Sequence, residues 1–221
     1  MSKTVVITGA NRGIGFAFAN LYKSRGEHVI ALCRKSSTQL DALGVRVVEG
    51  VDVATSQGLE VMVQALTNLS IDILINNAGI LRDETLSDFN TQTITEQFLV
   101  NAIAPIHVCQ KLQGNLHAGS KIGLITSRMG SIADNTSGGR YGYRMSKAAL
   151  NIAAVSLAKD LSEKSIAVGI YHPGYVQTDM VNHGGDISAD EAAQRLVGLI
   201  DNLSMDNSGV FFHSNGEALP W

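Results

Sequence analysis

The chain has 221 residues, 45% of them hydrophobic and 17% charged, with a formal net charge of -3. That length supports one domain with a substantial core. With no run of Lys or Arg the charge gives no footing for nucleic acid, and no apolar stretch approaches the roughly 20 residues that span a bilayer.

The N-terminus runs directly into Thr4-Val5-Val6-Ile7, without the long apolar stretch and cleavage site of a signal peptide. Val5–Thr8 reads as a first buried strand, followed by Gly9-Ala10-Asn11-Arg12-Gly13-Ile14-Gly15 and a helix over Ile14–Ser24. Glycines in a strand-to-helix turn let backbone approach a phosphate closely, and the helix N-terminus offers free N–H groups and the positive end of its dipole. An ordinary tight turn is the alternative, but the strand-before, helix-after context is the one nucleotide binding requires.

A second strand, Val29–Cys33, ends in Arg34-Lys35, with no acid placed to grasp a ribose 2′-hydroxyl. A nearby Arg accommodates a 2′-phosphate instead, so Arg34, helped by Arg12, points to NADP rather than NAD unless both are simply solvated charges. Val45–Glu49 is a third strand. Asp52, in Val51-Asp52-Val53, precedes a helix over Gln57–Thr67 that it could cap.

Ile71–Ile75 is a fourth strand and leads into Asn76-Asn77-Ala78-Gly79. A long helical pattern, Thr93–Leu116, contains Asn101 and Pro105. A fifth strand, Ile122–Thr126, is followed by Ser127, with Ser131 as a rival hydroxyl and a polar, Gly-rich loop at Asn135–Gly139. Tyr143 and Lys147 then stand at i and i+4 on a helix over Tyr143–Leu161, on one face. A free Tyr, with a pKa of about 10, is a poor acid near neutrality, and a neighbouring ammonium lowers that value. Tyr141 lacks such a partner, because its i+4 residue is Met145.

Ile166–Tyr171 is a sixth strand, ending at His172-Pro173-Gly174-Tyr175-Val176-Gln177-Thr178, where His172 reads as a strand-end residue. The segment Asp179–Ser188, with Gly184-Gly185 and a polar loop at His183–Asp186, reads as a short substrate lid. A helix over Ala189–Leu203 and a strand over Gly209–Phe212 complete the pattern. Strand alternating with helix implies one doubly wound α/β (Rossmann) domain over 1–221, with a mostly parallel seven-stranded sheet and helices on both faces. Cys33 and Cys109 read as small core residues, so a reducing compartment, the cytoplasm, is expected. No His/Cys/Asp/Glu cluster has zinc spacing, and G-x-S-x-G is missing.

The spacing Thr8-Gly9-x-x-x-Gly13-x-Gly15, with Asn76-Asn77-Ala78-Gly79, Asn101, Tyr143-x-x-x-Lys147 and Pro173-Gly174-x-Val176-x-Thr178 in that order, resembles the short-chain dehydrogenase/reductase family over nearly the whole chain. Arg128-Met129-Gly130-Ser131-Ile132, the Asn135–Gly139 insert and Tyr143-Arg144-x-Ser146-Lys147 look most like the carbonyl reductases related to sniffer and C-factor. The resemblance implies hydride transfer between NADPH and an aldehyde, ketone or dicarbonyl. Tyr143 would be the acid, Lys147 its tuner and ribose ligand, Ser127 the partner of the carbonyl oxygen, and Asn101 the holder of a relay water. Asn101 also reads as a helix cap or kink partner, and Ser127 as a turn former. The cofactor set implied is Gly9, Asn11, Arg12, Gly13, Ile14, Gly15, Arg34, Asp52 (at the adenine), Val53, Asn77, Ala78, Gly79, Tyr143, Lys147, Pro173, Gly174, Val176 and Thr178 (at the carboxamide). An NADP(H)-binding signalling or sensing protein with little turnover is the rival reading. Relatives often pair their long helices between subunits, so a homodimer or homotetramer is expected, unless those faces only cover the sheet.

Overall fold

The computed structural model describes residues 2–221. Its strands are β1 (Thr4–Thr8), β2 (His28–Leu32), β3 (Arg46–Val48), β4 (Ile71–Asn76), β5 (Leu116–Ile125), β6 (Ala167–His172) and β7 (Phe211–His213). They form a single seven-stranded sheet in the order β3-β2-β1-β4-β5-β6-β7. Every pairing is parallel, so the sheet expected to be mostly parallel is wholly so. The helices are α1 (Gly13–Ser24), α2 (Thr38–Ala42), α3 (Ser56–Ala65), α4 (Thr91–Phe98), α5 (Ala104–Lys111), α6 (Tyr141–Asp160) and α7 (Ala189–Asp201).

Side chains alternate across each strand, so the sheet feeds two cores. Val6, Leu74, Ile122, Leu124, Val168 and Ile170 face α3, α5 and α6 on one side. Val5, Ile7, Ile73, Ile75 and Tyr171 face α1 and α7 on the other. Fully burying such a Val, Ile or Leu is worth about 1.5–3 kcal/mol, which explains why these short apolar runs were conspicuous in the sequence.

Three elements depart from the expected pattern. The helix expected over Thr93–Leu116 is broken: a turn of π-helix, Leu99–Ile103, separates α4 from α5, which carries Pro105 in its first turn. Leu116 already belongs to β5, which begins six residues earlier than expected because Ser120 Oγ donates to Ile71 O and accepts from His117 N, carrying the chain alongside β4. The five-residue α2, capped by Ser37, was not foreseen.

Strand order reverses direction between β1 and β4, so the loops leaving their C-terminal ends diverge. The crevice between them is where open α/β sheets bind ligands. Here it is a cleft of about 660 Å³, lined by the loops after β1, β2, β3, β4, β5 and β6.

Candidate active site

The floor of the cleft is the turn from β1 into α1. Gly9 has φ +66°, and a Cβ there would lie 2.9 Å from Ala78 Cα. At Gly15 a Cβ would lie 2.2 Å from Gly9 O, so neither position accepts a side chain. Arg12, the residue before α1, makes no side-chain cap, which leaves the first N–H groups of that helix open to an anion. Thr8 Oγ1 accepts from Asn77 N and Ala78 N (3.0 and 3.1 Å), while Asn77 Nδ2 donates to Thr8 O and Gly9 O (3.1 and 3.2 Å). Asn77 therefore staples β4 to the glycine loop, a structural duty the sequence reading did not separate from cofactor contact.

Gly9, Asn11, Arg12, Gly13, Ile14, Arg34, Asp52, Val53, Asn77, Ala78, Gly79, Tyr143, Lys147, Pro173 and Thr178 all line the cleft. Gly15 lies buried behind it, and Val176 is buried in a parallel bridge to Ile187 beside Gly174. Arg34 is exposed and, among the described residues, has no carboxylate partner. Arg12, also in the cleft lining, meets Asp179 in an exposed pair, Nη1 to Oδ2 at 3.4 Å. Asn11 Nδ2 donates to Lys35 O at 3.0 Å, tying the loop after β2 to the glycine turn. The capping reading of Asp52 is displaced. Thr55 caps α3 through Gly58 N, and Asp52 Oδ1 accepts from Ala54 N in a turn of its own.

Tyr143 and Lys147 project from α6, both buried, with the Lys147 Nζ 5.8 Å from the Tyr143 ring centre. Ser127, two residues beyond β5, accepts from Met129 N through Oγ at 3.2 Å, and its hydroxyl lies near enough to Tyr143 to pull the phenol's pKa down; Ser131 Oγ likewise accepts from Asp134 N, at 3.1 Å.

The electrostatics differ from expectation. Burial raises the Tyr143 pKa, and the nearby Ser127 hydroxyl and the Arg140 charge pull against it. Lys147 Nζ donates to Ile125 O at 3.0 Å, and burial pushes its own pKa down to about 8. Arg140 was missed, since an arginine three residues before a tyrosine carries no spacing signal.

Asn101 is fully buried in the π-helical turn. Its Oδ1 accepts from Ile80 N, and its Nδ2 donates to Ile80 O and Ser146 Oγ, at 2.8, 2.8 and 3.1 Å. It joins the loop after Gly79 to α6. The extra residue of the π turn is what swings it inward, a common device at functional sites. The sequence reading also missed Ile80, Arg82, Leu99, Val100 and Thr126 in the lining, residue types that carry no chemistry of their own or stand outside any motif.

Comparison with known proteins agrees with this geometry. Residues 3–187 match the family model for short chain dehydrogenases. A 1-hydroxy-2-glutathionyl-2-methyl-3-butene dehydrogenase from Rhodococcus sp. (strain AD45) is 36% identical over 224 residues, covering 99% of each chain. The C-signal protein of Myxococcus xanthus is 39% identical over 154 residues, 68% of this chain and 93% of that one. Among solved structures, NADPH-bound carbonyl reductase from chicken fatty liver superposes with a TM-score of 0.89 at 28% identity, covering 100% of this chain and 99% of that one. Carbonyl reductase Sniffer of D. melanogaster gives 0.91 at 26% identity, covering 100% of both. In sequence, sheet order and cleft alike, the chain belongs to the short-chain dehydrogenase family of oxidoreductases.

Proposed function

We propose that this protein is an NADPH-dependent carbonyl reductase acting on aldehydes, ketones or dicarbonyls, with Tyr143 as general acid. The observation that carries the reading is the buried Tyr143–Lys147 pair, with Ser127 beside it, in the wall of a cleft that also holds Arg34, which has no carboxylate partner among the described residues. The side-chain-free floor at Gly9 and Gly15 and the open N-terminus of α1 fit a pyrophosphate, and Arg34 fits a 2′-phosphate. Asn11, Gly13, Ile14, Asp52, Val53, Ala78, Gly79, Pro173 and Thr178 would line the same ligand. When bound, the reduced nicotinamide supplies the hydride for the carbonyl carbon.

The protein's own part is the proton. Ser127 orients the carbonyl oxygen beside Tyr143, and the phenol gives its proton to that oxygen as negative charge builds there. A pKa raised by burial keeps the phenol protonated at neutral pH, which suits the reductive direction. Ser127 and Arg140 stabilise the phenolate left behind, and the Lys147 ammonium, at about 8, stands next to it with a proton to return.

The experiment is NADPH consumption against a panel of aldehydes, ketones and dicarbonyls, with Tyr143→Phe beside wild type. The variant should lose about 10²–10⁴-fold in turnover while still binding NADPH, the usual worth of a positioned proton donor. Arg34→Asp should weaken NADPH far more than NADH, and equal loss of both would remove Arg34 from the phosphate site. The similarity to C-signal favours a second reading, a signalling protein that binds NADP(H) with little turnover. Tight NADPH binding with no turnover across the panel would favour it. With two free, buried thiols, Cys33 and Cys109, the protein suits the reducing cytoplasm.

A further inference from the structure

A buried carboxylate lies outside the cluster just described. Glu84, in the segment between β4 and α4, is 2% exposed. Its Oε1 accepts from Thr93 Oγ1 (2.6 Å) and Gln97 Nε2 (2.7 Å), and its Oε2 accepts from Gly142 N (3.3 Å). Its backbone carbonyl accepts from Arg140 N at 2.8 Å. Gln97, itself fully buried, cannot turn over to serve another purpose: its Oε1 accepts from Arg82 N at 2.9 Å, and its Nε2 also donates to Thr93 O. Both oxygens of Glu84 are therefore required as acceptors.

What they hold is the start of α6. That helix opens at Tyr141 after Arg140, which sits in the left-handed region at φ +50° and offers no side-chain cap. A helix start without a local cap leaves buried N–H groups to be met from elsewhere, and an anionic acceptor also complements the positive end of the helix dipole. The fit is close: a Cβ on Gly142 would lie 2.4 Å from Gln97 Nε2 and 3.0 Å from Ile94 Cα. Tyr143 is the next residue, and Lys147 follows one turn later. The segment that carries Glu84 also carries Ile80, clasped by Asn101, and Arg82 of the cleft wall.

We infer that Glu84 is a positioning residue for Tyr143, capping the catalytic helix from outside and fixing it to the cleft wall. The inference rests on the reductase reading for its consequence in turnover, but not for its structural content. Glu84→Gln keeps the volume and replaces one acceptor by a donor, which must face either Gln97 Nε2 or Gly142 N–H, so one bond is lost whichever way the amide lies.

The test compares wild type and Glu84→Gln by three measurements, made well below either melting temperature. These are hydrogen exchange of backbone amides, NADPH dissociation constant, and kcat with KM on the best carbonyl of the panel. Exchange in the peptide spanning residues 139–150 should quicken by about tenfold while β1, β4 and α1 stay protected. The kcat should fall at least about tenfold with KM and NADPH affinity held within about twofold, because a displaced acid harms the reaction more than the binding. Unchanged exchange at 139–150, or a general loss of protection with kcat, KM and NADPH affinity moving together, would overturn the proposal. A wild type without turnover would count against the reductase reading alone, and the exchange result would still decide whether Glu84 holds the helix. Should Glu84→Gln fail to fold, the double swap E84Q/Q97E restores the donor-to-acceptor order from Arg82 N to Gly142 N and gives up only the bond from residue 97 to Thr93 O. Its kcat should lie within about threefold of wild type, and a folded swap that has lost turnover would overturn the proposal.

Discussion

Lys147 carries a cost that its pH behaviour should expose. Burial lowers its pKa from 10.5 to about 8, on the order of 3 kcal/mol against the charged form. Below about pH 8 the residue is charged in both folded and unfolded chains, so the full penalty applies. Between about 8 and 10.5 the unfolded chain binds more protons, and stability rises with pH. Lys147→Met removes the ammonium, so the melting temperature of the variant relative to wild type should be highest at pH 6–8 and decline towards pH 10. Thermal scans across that range check the sign; a constant difference would mean the ammonium is better solvated than its position implies. The residue pattern made Tyr143 and Lys147 legible because their separation and helical face can be counted. Their electrostatics were not legible. The largest influence on the Tyr143 pKa is burial, and burial depends on β5 and α4, which are remote in sequence.

At the scale of elements, the broken α4–α5 helix gives Asn101 its reach. Asn101→Ala would leave the N–H and C=O of the half-buried Ile80 without their side-chain partners, each costing about 1–3 kcal/mol. At about 2–4 °C per kcal/mol for a chain of this size, the melting temperature should drop by roughly 4–24 °C, and calorimetry checks it. The ends of β6 and β7 hold a second sensitive contact. His172 and His213 meet edge to face at 4.9 Å, and burial pushes His172 down to about 3, the neighbouring His213 adding to the effect. The folded pKa lies below the unfolded 6.5, so this stability is present above about pH 6.5 and is lost as pH falls towards 3. His172→Gln should flatten the loss of stability between pH 6 and 4 in urea titrations.

The sequence placed all seven strands, because apolar runs bounded by polar residues survive any detail of packing. It ran the helix through Asn101 because Thr93–Leu116 is helical in pattern at either period, and a π turn leaves no compositional trace. It passed over Glu84 and Gln97, which look like solvated polar residues until α4 and α6 are brought together around them.

For the whole molecule, no helix among the described residues is long and apolar enough to cross a membrane. The outer face of α6 nevertheless shows Ile152 at 66% exposure. An apolar side chain left that open on a long helix suits pairing with a second copy. If α6 pairs subunits, Ile152→Asp should lower the assembly state of wild type in sedimentation velocity, with the cleft intact. A wild type already monomeric at micromolar concentration would assign Ile152 to no subunit contact.

The Asn77 staple has an evolutionary consequence. Because one amide locks β4 to the glycine loop, the ground on which a dinucleotide lies has a support of its own besides the loop after β2, which touches that ground through Asn11–Lys35 and Ser37–Asn11. The proposed proton donor, Tyr143, stands elsewhere, on α6. Choice of dinucleotide and the delivery of a proton would thus be separately heritable: a lineage could exchange one coenzyme for the other by drift at the side chains of residues 34 and 35, keep Ser37 on Asn11, and leave its chemistry untouched.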